Sequence, residues 1–86
     1  MPELCRFFGI VISMYYDDHA PPHFHAKYGS ERAQFSIDPP GLIKGDLSPR
    51  AIALVMEWAA LRREALLAAW QSRAAGRPPG KIEPLK

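Results

Sequence analysis

His23-Phe24-His25-Ala26-Lys27-Tyr28-Gly29-Ser30-Glu31-Arg32-Ala33-Gln34-Phe35-Ser36-Ile37 is the stretch whose alternation decides the fold. In an extended chain Phe24, Ala26 and Tyr28 fall on one side, and His23, His25 and Lys27 on the other. Gly29-Ser30 suits a two-residue hairpin loop with glycine first. The register that follows sets Tyr28 against Glu31, Ala26 against Ala33 and Phe24 against Phe35 on a mainly apolar face. Lys27 then meets Arg32, His25 meets Gln34 and His23 meets Ser36 on a wholly polar one. A slip of one residue would mix the two faces, so the pairing is strongly specified. It predicts an open sheet face presenting His23, His25, Lys27, Arg32, Gln34 and Ser36.

Upstream, residues 7–16 are β-branched and aromatic and read as one strand. Phe8, Ile10, Ile12, Met14 and Tyr16 form its core face. Asp17 to Pro22 is a loop, because Pro21 and Pro22 donate no N–H and cannot continue a ladder. Downstream, Pro39-Pro40-Gly41 turns the chain, and Leu42-Ile43 is assigned a short edge strand. Ser48 is an N-cap and Pro49 suits the first helical position. Helical composition then runs to Ala75, before Gly76 and Pro78. A straight helix of that length would span roughly 40 Å. Such a helix either overhangs the sheet or bends, and a bend would fall near Arg62-Arg63-Glu64, the only charge cluster within it.

The helix carries two apolar stripes. Ile52, Val55, Met56, Ala59, Leu66, Leu67 and Trp70 suit the sheet, while Leu54, Trp58, Leu61 and Ala65 need other cover. A returning tail with Ile82, Pro84 and Leu85 would supply it. So would a second copy of the chain or a partner docked on Leu54, Trp58 and Leu61. The fold class is therefore α+β. A three- to four-stranded, mostly antiparallel sheet (5–46) is packed by one long helix (48–75), straight or bent, with a short extended tail (76–86), in a single domain over 1–86.

The 86 residues allow one small core, whose modest stability makes homo-oligomerisation an expectation. The net charge of +2 is uneven. Residues 1–46 hold four bases against six acids, and residues 47–86 seven against three. No dense basic run announces nucleic acid. Arg62, Arg63, Arg73 and Arg77 read as a solvated helix face. Cys5, the single cysteine, has no partner for an internal disulfide and reads as a small buried apolar residue. No apolar run reaches membrane-spanning length and no leader pattern is present, so the expected location is the cytoplasm, with no membrane.

Every histidine lies between Asp17 and Tyr28. Three readings of that stretch stand side by side. In the first, the histidines pair with Asp17, Asp18 or backbone carbonyls and only lock the loop. In the second, His19, His23 and His25 ligate a divalent metal such as zinc or manganese, with Asp17 or Asp18 as a further ligand. In the third, no metal is needed. His25 does acid–base work with help from His23, Lys27 and Arg32 bind phosphate, and Gln34 and Ser36 orient it. RNA suits that chemistry because its 2′-hydroxyl is an internal nucleophile, and Tyr15, Tyr16 and Tyr28 would stack on bases. Whether the chain is an enzyme stays open on these residues.

Arg6-Phe7-Phe8-Gly9-Ile10-Val11-Ile12, Met14-Tyr15-Tyr16-Asp17-Asp18-His19 and Pro21-Pro22-His23-Phe24-His25-Ala26-Lys27-Tyr28 closely resemble a family of short bacterial proteins, domain of unknown function 4160. Glu57-Trp58 and Lys81-Ile82-Glu83-Pro84-Leu85 extend the likeness over nearly the whole chain. The resemblance carries no established catalytic residues. It implies a gene neighbour encoding a second small protein, in an arrangement similar to toxin–antitoxin pairs, and so a partner protein and a stress or defence role.

Overall fold

The computed structural model describes residues 3–86. Five strands, β1 (Glu3–Phe7), β2 (Ile10–Ser13), β3 (His23–Tyr28), β4 (Glu31–Ile37) and β5 (Pro40–Asp46), form one sheet in the order of the chain. Every neighbouring pair is antiparallel. Two helices follow, α1 (Pro49–Leu61) and α2 (Arg63–Ala74).

The β3–β4 hairpin has the register the alternation predicts, from Tyr28 opposite Glu31 to His23 opposite Ser36. The sheet is larger than the expected three to four strands, for two local reasons. Residues 7–16 are not one strand. Phe8 and Gly9 both have positive φ (49° and 82°), the backbone of a two-residue hairpin turn, and they fold β1 back on β2. The turn lifts Phe8 into solvent, and Tyr16, beyond the end of β2, is also exposed. Ile10, Ile12 and Met14 keep their expected core positions. The second difference is β5, which has seven residues rather than the pair Leu42-Ile43. It curves past β4 through a register shift at Gln34/Phe35. Gly45 makes that approach feasible. Its φ is +81°, and a Cβ there would run into the Arg32 carbonyl oxygen and lie 3.0 Å from the Ala33 Cα.

The helical segment starts as expected, with Ser48 Oγ accepting from the Ala51 amide at 3.3 Å and Pro49 in the first turn. It does not continue as one helix. Arg62 leaves helical geometry (φ −115°, ψ 24°), inside the charged cluster where a bend would fall. The body is only 33 Å in its longest dimension, so an unbroken helix of roughly 40 Å would overhang it. Arg63 then pairs with Asp38 at 3.2 Å on the surface.

The core lies between one sheet face and the helices. Phe24 and Phe35 stack with centroids 5.5 Å apart, and Trp58 sits 5.4 Å from Phe7 and 5.7 Å from Phe24. Trp58 is fully buried. Its indole N–H donates to the Glu83 carbonyl at 2.7 Å, and the Ile82 amide donates to the Leu4 carbonyl at 3.0 Å. The tail thus returns over the second stripe. Trp58 is not surface for a partner, Leu54 packs partly against the core, and only Leu61 of that trio stands well exposed. Cys5 is buried, and burial pushes its thiol up to about 11.

Candidate functional site

The open face of the sheet follows from the register. Ser13, His25, Gln34 and Lys44 are successive cross-strand neighbours in one row, and Arg6, Val11, Lys27, Arg32 and Asp46 in the next. These rows are two residues apart, so their side chains share a face. That face forms a trough of about 570 Å³ whose lining includes His25, Lys27, Arg32, Gln34, Lys44 and Arg6. The N-terminal half is acidic overall, yet the trough is basic. Glu3 is occupied by Arg6 through two hydrogen bonds of 2.8 and 2.9 Å, and Asp46 accepts from the Leu47 amide. Arg6 lowers the Glu3 carboxyl below its ordinary value.

Lys27 and Arg32 are directly opposite each other, both exposed. Like charges in that position repel, so the pair gains from an anion between them. Lys44 extends the positive line onto the edge strand. Sequence reasoning missed Lys44 and Arg6, since each joins the trough only once β5 and β1 are recognised as strands. Two expected substrate-binding residues are elsewhere. Ser36 does not line the trough, and its single hydroxyl hydrogen goes to the Pro39 carbonyl, with the Gly41 carbonyl 3.3 Å away, tying the β4–β5 turn. Tyr28 does not line it either and lies beside Gly9.

At one end of the trough the histidines meet the loop that joins β2 to β3. His25 stacks edge-on to Tyr15, ring centroids 4.5 Å apart, and its Nε2 lies 3.1 Å from Asp18 Oδ1. His23 is not on the open face as the alternation implies. It is buried, 5.3 Å from the Trp70 ring of α2, because it is the first residue of β3 and α2 reaches that end of the sheet. Its Nδ1 donates to the Pro21 carbonyl at 2.9 Å, and its Nε2 faces Asp18 Oδ1 at 3.6 Å. His19 and Asp17 are exposed and stand outside the group formed by Asp18, His23 and His25.

Asp18 is held from several sides. Its Oδ2 accepts from the Tyr15 amide at 2.9 Å. Burial would push its carboxyl up, but the Tyr15 amide, the His25 hydrogen bond and the charges of His25 and His23 together keep it below its ordinary value. Arg73, expected on a solvated face, is buried instead. It stacks 3.7 Å from the Trp70 ring centroid and donates to the Tyr16 and Asp18 carbonyls, each at 3.0 Å. No helix among the described residues is long and apolar enough to cross a membrane.

Residues 9–71 match the family model described as a domain of unknown function, number 4160. No match was found among curated proteins or among solved structures.

Proposed function

The chain belongs to the domain of unknown function 4160 family, and we propose that it binds the phosphodiester backbone of RNA along its open sheet face. The observation that carries this is the directly opposed cation pair Lys27–Arg32, continued by Lys44 and bounded by His25. Single-stranded RNA suits a trough of this size, with Gln34 offering hydrogen bonds and Tyr15 a ring at the His25 end. His25, oriented by Asp18, is the group placed to move a proton at a bound 2′-hydroxyl or phosphate. His23 is a positioning residue in this reading, since it reaches the trough only through Asp18. The chain acts in the cytoplasm beside a neighbouring-gene partner, in a toxin–antitoxin-like pair. The exposed Leu61 and the adjoining Leu54 are the places for that partner or for a second copy.

The test is anisotropy of a labelled single-stranded RNA across a salt series. Each phosphate contact contributes about 0.7 to the slope of log affinity against log salt. Loss of Lys27 and Arg32 together should lower the slope by roughly 1.4. Growth on induction, with and without the neighbouring gene, then compares wild type with His25→Ala. Binding that ignores both salt and the double variant would end this reading.

A further inference from the structure

We propose that Asp18, His23 and His25 form a binding site for a divalent transition-metal ion of the zinc class. The argument starts from one proton. The Pro21 carbonyl only accepts, so the His23 Nδ1 that lies 2.9 Å from it carries the hydrogen. In the neutral ring Nε2 is then a bare lone pair, and it faces the Asp18 carboxylate at 3.6 Å. Two acceptors aimed at each other inside the fold repel unless a proton or a cation lies between them, and a metal ion is a cation that all three side chains can share. His25 Nε2 converges on the same carboxylate from the other side, 3.1 Å from Oδ1 and 3.3 Å from Oδ2.

The distances fit a metal. Tetrahedral ligands at about 2.0–2.1 Å from zinc stand roughly 3.3–3.4 Å from one another. The two nitrogen–oxygen separations, 3.1 and 3.6 Å, bracket that value, and the donor atoms of all three residues lie within 4.8 Å of one another. The supports fit too. A ligating histidine ordinarily fixes its ring by donating its other nitrogen to a carbonyl, as His23 does to Pro21. Asp18 is oriented by the Tyr15 amide. The buried cation nearby, Arg73, spends its hydrogen bonds on the Asp18 and Tyr16 carbonyls and leaves the carboxylate to the imidazoles. The donor set is nitrogen and oxygen without thiolate, which suits zinc, iron or manganese. Three protein ligands leave a further coordination position, and His25 also lines the trough, so an ion here sits at its margin.

The full chain is stripped with chelator, loaded with zinc, and its metal content measured after dialysis. Cobalt in place of zinc gives a ligand-field spectrum in the visible. The expected result is one ion per chain, with affinity at least about tenfold weaker in His25→Ala and Asp18→Asn. His19→Ala should bind as wild type. In wild-type protein, zinc should also move the Nε2 nitrogen resonances of His23 and His25 and leave those of His19 in place, a readout that needs no variant to fold. Absence of stoichiometric metal, or binding that His25→Ala leaves unchanged, would overturn the site and assign the charge between His23 and Asp18 to a second proton.

Discussion

Arg73→Met takes away a buried cation and keeps an apolar stem of similar reach against Trp70. Two hydrogen bonds from Nη1, each 3.0 Å, are lost, and the Tyr16 and Asp18 carbonyls are left to find other donors. Hydrogen bonds from a charged group contribute about 1.5–3 kcal/mol each. Stacking of the guanidinium on Trp70, at 3.7 Å, adds about 0.5–2 kcal/mol. Against these stands the cost of burying the guanidinium, several kcal/mol by general experience and raised here by an Nε without a hydrogen-bond partner among the described residues. The gain exceeds the cost because both carbonyls are acceptors already fixed in place, in a loop that the Tyr15 amide and the histidines also hold, and the expected net loss is about 2–4 kcal/mol. For a domain of this size that lowers the melting temperature by roughly 10–30 °C. Urea unfolding followed by tryptophan fluorescence measures it, with Arg73→Lys as the comparison. Lysine keeps the charge but neither the fork nor the stack, so it should fall between the two. A methionine variant as stable as wild type would refute the reasoning, showing that desolvation outweighs the anchoring, as it does where buried ions are replaced by well-packed apolar groups.

The Asp18 carboxyl is held below its ordinary value, so its contribution to stability is present above the unfolded carboxylate value of about 3.9 and is lost as pH falls through the lower folded value. Asp18→Asn should flatten this part of the acid-unfolding curve, and an unchanged acid limb would show that the carboxylate is not the group responsible. Gly45→Ala should destabilise by at least about 2 kcal/mol in urea, because a side chain at φ +81° is strained and its Cβ meets the Arg32 backbone. Full stability in that variant would mean that β5 does not approach β4 this closely.

The hairpin of β3 and β4 was legible because two independent constraints agree in it, the period-2 alternation and a glycine-first loop. The β1–β2 turn was hidden by its own neighbours. Phe7-Phe8 and Ile10 read as one apolar run, and Gly9 stands in it as an isolated glycine. β5 was hidden for the opposite reason, since it is exposed along most of its length and lacks a buried face to impose a period. The charge cluster marked where a bend would fall, but one long helix was expected, and nothing in the sequence showed that α1 ends there and α2 begins. At the site, spacing grouped His23 with His25 but could not choose between Asp17 and Asp18 or exclude His19. Those choices are made by a loop, pinned by a hydrogen bond from the Tyr15 amide and by Arg73, far away in sequence. Arg73 itself gave no signal, because a helical arginine usually faces water and only the Trp70 ring and two carbonyls bring it inside.

Three of the four connections within the sheet are two-residue turns, while the one between β2 and β3, residues 14–22, is longer and carries Asp18. Each strand pairs with its neighbour in sequence, so the ladder can zip hairpin by hairpin with little loop entropy to overcome. The Asp18 loop is different, since Arg73, 55 residues further along, ties it down. In synthesis every residue of the sheet is joined before that arginine. The loop that carries Asp18 therefore gains this anchor only after every residue of the sheet has been joined.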